Sequence, residues 1–434
     1  MSQPVLLELP NEKSAYKDTA FASNKTLAVH RWVNWIAGFS SEFVQHALEL
    51  HLPEPAPDQV VLDPFGGVGT APLTAFLRGH SVVSYDINPF PVLVQRAKLK
   101  ALRGVRPGEL LAQVEAFGVH MAADRPPRST VPPGFTSRTP FYSERVLVKV
   151  LRVWDFIYAL GDEDLRDLFR VAFGATMVSY SNYSYEPSLG SRAAAGKPQI
   201  EDADVAQTMR DKLMEMHGDL VAAQGVPLDG QTAQVYQGSF MRSDLAANSV
   251  DLIVTSPPYL NNYHYLRNTR PHLYWLGFAS KPKDLRYLEL DNYGKYWQTV
   301  RDARYRTALI FESPWLQDLT AQLAGTQTDR GVYGGQGWAN YATEYFNDTY
   351  RFLQKTHEVL RPGSKALIVV GNSIVKGINL PVDEVFTHVA GHFGFTRHDI
   401  HVVRDTRIGS SIVGTGLRVK GKGKLYEVVV ELTK

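Results

Sequence analysis

The chain has 434 residues, with 46 lysines and arginines against 44 aspartates and glutamates, a formal net charge of +2, and no cysteine. Hydrophobic and charged fractions of 44% and 21% are those of a folded globular protein and exclude a disordered, collagenous or membrane-embedded chain. The missing cysteine excludes disulfide scaffolds, thiolate metal sites and every cysteine-nucleophile mechanism.

Such a length corresponds to two or three units of ~150 residues, or to one domain enlarged by insertions. Near-neutral charge means that a nucleic-acid partner must be held by local basic patches, not by the overall field. The opening residues, MSQPVLLELPNEKSAYK, carry neither a basic leader nor a long apolar stretch, and no run approaches the ~20 apolar residues of a membrane span. A cytoplasmic location with no membrane attachment is expected.

Residues 1–58 read as an N-terminal helical segment. Residues 59–104 run strand, glycine turn, helix, strand, helix: QVVLD, PFGGVGT, APLTAFLRGH, SVVSYD and NPFPVLVQRAKLKALRG. This is an α/β unit of the kind that builds a parallel sheet. Residues 105–232 interrupt it with a Pro-rich connector, DRPPRSTVPPGF, apolar helical segments around Val146 to Leu160 and Leu165 to Met177, and a polar tyrosine loop. The plan returns at 233–262, where SVDLIVT gives a short apolar strand ending at SPPY. A second insertion, 263–338, is rich in Tyr, Trp and Arg and closes with GVYGGQGW.

From 339 to 434 the α/β pattern resumes. Phe346, Leu353 and Leu360 recur every seven residues on one helix face. Arg361-Pro362-Gly363 stops that helix, and KALIVV follows as a buried strand. A helix near Val382 to His392 and two late strands, around DIHVVRD and KLYEVVVEL, complete the chain. The whole reads as one α/β domain split by two mainly helical insertions.

Two features carry chemistry. In Leu62-Asp63-Pro64-Phe65-Gly66-Gly67-Val68-Gly69-Thr70, glycines at a strand-to-helix turn let a ligand approach the backbone closely. Asp86, at the end of the next strand in Tyr85-Asp86-Ile87-Asn88, can accept hydrogen bonds from both hydroxyls of a ribose. A dinucleotide reading competes, but the third glycine of its fingerprint would fall at Pro72. The second feature is Thr255-Ser256-Pro257-Pro258-Tyr259. Two prolines cannot donate to a sheet ladder, so the strand ends there in a rigid bend that fixes its side chains and carbonyls. An exocyclic amine, whose lone pair is delocalised into its base, needs such fixed acceptors to become nucleophilic. In an open sheet, the strands that start the two half-sheets lie side by side where ligands bind.

DPFGGVGT followed by YDIN resembles motifs I and II of the S-adenosylmethionine-dependent amino-methyltransferases. SPPY resembles motif IV of DNA amino-methyltransferases, in the form associated mainly with N4-cytosine enzymes, with N6-adenine left open. VHRWVNWIAGFSSEFVQ, residues 29–45, is similar to motif X, and YQGSF holds the place of motif III, with Gly238-Ser239 where many relatives carry an acid. The resemblance implies a Rossmann-like methyltransferase fold: a mostly parallel seven-stranded sheet with an antiparallel C-terminal strand, plus mainly helical insertions. It implies S-adenosylmethionine as cofactor, held by Asp63, Pro64, Phe65, Gly66, Gly67, Gly69, Thr70, Asp86 and Ile87, with Trp35, Phe39, Ser40 and Ser239 as further candidates. Catalysis falls to Ser256, Pro257, Pro258 and Tyr259, the tyrosine stacking on the base.

An amine in paired DNA lies inside the stack, so the target nucleotide must be extruded. Candidate DNA contacts are Arg267 and Arg270 with Tyr263 and Tyr265, joined by Arg301, Arg304 and Arg306. Arg192 beside the tyrosine loop and Lys422, between Lys420 and Lys424, are others. Target recognition is expected mainly in 105–232, with 263–338 in support. The function expected is N4-cytosine methylation of double-stranded DNA, with a cognate restriction endonuclease as a partner in a modification system. The alternatives are N6-adenine DNA methylation, an RNA (tRNA) amino-methyltransferase, or a catalytically silent nucleic-acid binder. C5-cytosine chemistry needs a cysteine and is excluded. No metal is expected.

Overall fold

The structure, a computed structural model, describes residues 16, 19, 21–35, 38–185, 188–260, 265–302, 304–326, 335–404, 408–410 and 420–434. Seven strands form its central sheet: β1 (Val60–Asp63), β2 (Ser81–Asp86), β3 (Ala233–Gln237), β4 (Val250–Thr255), β5 (Leu360–Gly371), β6 (Arg397–Arg404) and β7 (Glu427–Thr433). Their order across the sheet is β6-β7-β5-β4-β1-β2-β3. Neighbours from β5 to β3 pair in parallel, and β7 alone runs antiparallel, between β5 and β6. This is the expected mostly parallel sheet with an antiparallel C-terminal strand. It is the Rossmann-like methyltransferase arrangement, with β1 and β4 side by side where the strand order reverses.

Short branched runs such as VVLD and VDLIVT form these strands because both faces are covered, so they need no polar alternation. Val61, Leu252, Val254, Leu367 and Val369 enter one apolar layer. Their neighbours Leu62, Ile253, Ala366, Ile368 and Val370 enter the other. On the first side lie α1 (Ser41–His51), α2 (Thr70–Leu77) and α3 (Pro89–Gly104). On the second lie α9 (Pro314–Ala324), α10 (Gln336–Val359) and α11 (Val382–Ala390).

Residues 105–232 contain α4 (Pro107–Ala122), α5 (Glu144–Ala159), α6 (Glu163–Thr176) and α7 (Val205–Ala222). Two of these, α5 and α6, were legible as apolar segments; α4 and α7 were not singled out, although Leu110, Val114 and Phe117, and Met209, Leu213, Met216 and Leu220, bury one stripe of each. All four share the core cluster of the first layer. α6 packs on α3 so closely that a Cβ on Gly174 would meet the Phe90 ring at 2.5 Å. In the second insertion, α8 (Tyr265–Trp275) joins the same cluster through Leu273, Tyr274 and Trp275. Among the described residues no helix is long and apolar enough to cross a membrane.

Candidate active site

The glycine loop springs from the end of β1 and is held from beneath. Gly66 N–H donates to the Tyr85 carbonyl at 2.8 Å, and Gly69 N–H to Gly66 O at 2.8 Å. A Cβ on Gly66 would lie 2.0 Å from Ser84 Oγ, and Gly69 has φ +90°, so one position has no room and the other needs a left-handed backbone. Two buried donors one turn apart on α3 clamp the next two carbonyls: Gln95 Nε2 to Gly67 O at 2.8 Å and Lys98 Nζ to Val68 O at 3.0 Å. Burial pushes the Lys98 ammonium down to about 7, because no water solvates its charge.

Asp86 ends β2 and folds over the loop. Its Oδ2 accepts the Gly67 N–H at 3.0 Å and its Oδ1 the Asn88 N–H at 2.8 Å. Burial pushes its carboxyl up to about 7 against those two hydrogen bonds. Asn88 caps α3 through Phe90 N–H and donates to Thr269 Oγ1 of α8 at 2.8 Å. The acid that ends β2 is thereby tied to the second insertion.

Asp63 joins the two signature segments. Its Oδ1 accepts Thr255 Oγ1 at 2.6 Å and Phe65 N–H at 3.0 Å, while its buried Oδ2 has no partner among the described residues. Burial pushes this carboxyl up to about 7 as well. Since Thr255 precedes Ser256, one short bond sets the proline bend against the glycine loop. Ser256 Oγ donates to the Val369 carbonyl of β5 at 3.1 Å. With its hydrogen so committed, the hydroxyl has only acceptor lone pairs left to present. Tyr259 donates to Glu427 Oε1 at 3.1 Å, and burial beside that carboxylate keeps its phenol neutral.

These segments border one cavity with about 1030 Å³ of atom-free space. From the cofactor candidates, Pro64, Phe65, Gly66, Gly67, Thr70, Asp86, Ile87, Trp35, Phe39 and Ser239 line it; Ser256 and Pro258 line it from the bend. Asp63, Gly69, Pro257 and Tyr259 are not on its wall. Neither is Ser40, which caps α1 by accepting the Phe43 N–H at 3.1 Å. Trp35 lies over the loop, its Nε1 3.2 Å from where a Gly67 Cβ would sit, and stacks on Tyr265 with centroids 6.4 Å apart. Tyr265, read as a DNA contact, therefore stands on this wall too.

The far wall had no sequence signal that was read. Leu288, Asp291, Asn292, Tyr293 and Tyr296 of the second insertion close the cavity. Tyr293 meets Thr349 Oγ1 at 2.7 Å, and Gly294 N–H donates to the buried Asp348 at 3.0 Å, so α10 holds this wall in place. The run DNYG at 291–294, polar and aromatic around a glycine, was the available clue.

The basic candidates are held by separate local partners. Arg270 donates to Thr136 O at 3.0 Å and lies over the Tyr274 ring; Arg304 pairs with Asp302 at 2.6 Å; Arg301 lies over Trp297. Arg267 is exposed on α8. Arg192 donates to Pro198 O at 2.7 Å. Lys422 belongs to a strand, Lys420–Lys424, paired with Ile408–Ser410, but its side chain and all of Tyr263 lie outside the described residues.

No family model matches the chain. It is 22% identical over 442 residues to the Type II methyltransferase M.BsoBI of Geobacillus stearothermophilus, covering 91% of this chain and 84% of that protein. It is 20% identical over 404 residues to M.MvaI of Kocuria varians, covering 90% and 86%, and 21% identical to M.AvaI of Anabaena variabilis, covering 92% and 86%. Solved structures that align include TrmN from Thermus thermophilus, at TM-score 0.30 and 11% identity over 91% of this chain and 48% of that one. Another is the geranyl diphosphate C-methyltransferase of Streptomyces coelicolor A3(2), at TM-score 0.33 and 7% identity over 97% and 87%. Scores so low add nothing to the strand order, which carries the fold on its own. The chain thus has a Rossmann-like methyltransferase fold and is similar over nine-tenths of its length to Type II methyltransferases.

Proposed function

We propose that the chain transfers a methyl group from S-adenosylmethionine to the exocyclic N4 amine of a cytosine extruded from duplex DNA, as the modification enzyme of a restriction-modification system. The observation that carries this reading is the shared cavity: the glycine loop and Ser256 face the same space, joined behind it by the Thr255–Asp63 hydrogen bond.

The cavity suits the cofactor. The loop backbone of Gly66 and Gly67 lines the wall, Asp86 offers a carboxylate there, and Asp63 lies behind it with a buried oxygen that has no partner among the described residues. Two carboxyls beside the loop favour a ligand with ammonium and sulfonium charge. Asp86 would hold the ribose, Phe65 to Gly67 the methionyl part, and Trp35, Phe39 and Ile87 the remaining surface. When bound, S-adenosylmethionine supplies a methyl group on a positively charged sulfur.

Ser256 Oγ and the Pro257 carbonyl accept the two amine hydrogens. Accepting both draws the nitrogen toward a pyramidal shape with its lone pair aimed across the cavity, and stabilises the positive charge that grows on it. The proline ring fixes the backbone torsion, so the acceptors need no reorganisation. Tyr259, anchored through its hydroxyl by Glu427, backs the bend from outside the cavity wall. A serine hook carries no charge to repel the carbonyl of a cytosine, which favours N4 over an acid-hooked adenine.

Incubation with methyl-labelled S-adenosylmethionine and either duplex DNA or tRNA, followed by nucleoside mass spectrometry, tests the proposal. Label in N4-methylcytosine from DNA is the expected result. Label in N6-methyladenine would replace the base assignment, and label confined to tRNA would replace the polymer.

A further inference from the structure

A second cavity, with about 1340 Å³ of atom-free space, shares Trp35 and Tyr265 with the first. Those two rings stack at an interplanar angle of 13° and form the partition between the cavities. Ser256 and Pro258 line only the first, so a group in the second lies beyond the catalytic hook. The other walls come largely from the two insertions: Tyr183 and Tyr185 of a short hairpin and α6 from the first, and α8 from the second.

Three features of this cavity point to one kind of ligand. Its walls carry the rings of Trp35, Tyr265, Tyr183 and Tyr185, an aromatic lining of the kind on which planar rings stack. Asn268 on its wall is only 5% exposed, and its amide Nδ2 has no hydrogen-bond partner among the described residues. The orientation of that amide is set, because Oδ1 accepts the Leu189 N–H at 2.9 Å, so it is the two-hydrogen end that goes unpaired. A buried donor at a cavity wall can be satisfied by an acceptor on a bound ligand. Finally, Lys25 and Arg192 are on the wall and, among the described residues, no carboxylate is, which favours an anion.

We infer that this second cavity binds a deoxyribonucleotide of the substrate DNA other than the one methylated. Its base lies among the tyrosines and Trp35, a ring nitrogen or carbonyl accepts from Asn268 Nδ2, and its phosphate meets Arg192 and Lys25. This inference rests on the reading of the chain as a DNA methyltransferase and adds a second extrahelical position to it. Extruding one base leaves its former partner unpaired and unstacks its neighbours, so these are cheaper to capture, and the Trp35–Tyr265 partition places the two nucleotides in adjoining chambers.

The test uses the full chain saturated with S-adenosylhomocysteine, to which dAMP, dGMP, dCMP and dTMP are added singly, with binding followed by saturation-transfer NMR and tryptophan fluorescence. At least one nucleotide is expected to bind. Arg192→Ala and Asn268→Leu are each expected to weaken it about tenfold, the effect of losing one good hydrogen bond or charge contact, while Ser256→Ala leaves it unchanged. No binding of any nucleotide at millimolar concentration overturns the inference. So does binding lost in Ser256→Ala but indifferent to Arg192→Ala, which would put the nucleotide in the first cavity. Should Asn268→Leu fail to fold, Arg192→Ala decides alone, since its side chain is on the surface. Failure of S-adenosylhomocysteine itself to bind would instead overturn the reading of the first cavity.

Discussion

Asp86 serves two partners: it clasps the glycine loop and faces the cavity. Its carboxyl, pushed up to about 7 by burial, is partly protonated near neutral pH. A ligand that donates hydroxyls and brings positive charge favours the ionised form, so binding releases protons and affinity rises as pH rises through about 7. Calorimetry of S-adenosylmethionine binding in buffers of different ionisation enthalpy is expected to show proton release near pH 6.5. In Asp86→Asn the release shrinks and affinity falls about 10- to 100-fold, the worth of charge-assisted hydrogen bonds. Ser256→Ala is the complement: cofactor affinity unchanged by calorimetry, and kcat down by about 10²- to 10³-fold in a methylation assay, as for one lost preorganised contact to the reacting group. At this scale much was legible in advance. Glycines and prolines announce their backbone geometry locally, and an acid at a strand end announces itself by spacing. Gln95 and Lys98 were not legible, because a polar residue on an amphipathic helix looks solvent-facing until the loop it clamps is folded over it.

Between elements, a few buried polar groups decide how segments meet. Asp219 of α7, 1% exposed, receives Val29 N–H at 2.8 Å, Trp32 Nε1 at 3.0 Å and Arg31 Nη2 at 2.5 Å. It thereby anchors the segment that carries Trp35 over the loop. Asp219→Ala strands these donors and is expected to cost about 3 kcal/mol in urea unfolding, with a loss of cofactor affinity on top. His272 of α8 stacks on Phe90 of α3 at 4.5 Å between centroids and bonds the Gly174 carbonyl. Burial lowers its pKa to about 4. A group whose folded pKa is depressed contributes stability that is present above its unfolded value and lost as pH falls. His272→Phe is therefore expected to gain on the parent by about 2 kcal/mol between pH 7 and pH 5, from 1.36 kcal/mol per pH unit below 6.5. Equal shifts of both proteins in urea titrations at the two pH values would rule this out. The motif X stretch yielded the two rings that line the cavity, Trp35 and Phe39, whereas Ser40, named with them, turns to cap α1.

Over the whole molecule, the segment expected to act as a recognition insertion is built into the core. Phe90 lies on Gly174, and α4 to α7 share one apolar cluster with α3 and the sheet. Replacing residues 105–232 with a short linker is expected to leave an insoluble protein that binds no S-adenosylhomocysteine, because burial of each large apolar side chain contributes about 1.5–3 kcal/mol. A soluble, ligand-binding product would make the four helices a separable module. The sequence by itself determined six of the seven strands, missing the edge strand Ala233–Gln237, together with the loop, the acid after it and the proline bend. These depend on chirality, ring closure and side-chain periodicity within a few residues. Only the tertiary structure decided what closes the site: the 288–296 wall held by α10, the Trp35–Tyr265 partition, and the Thr255–Asp63 bond across 192 positions. Such contacts arise from which surfaces pack together, and no local pattern encodes the distance between two helices far apart in the chain.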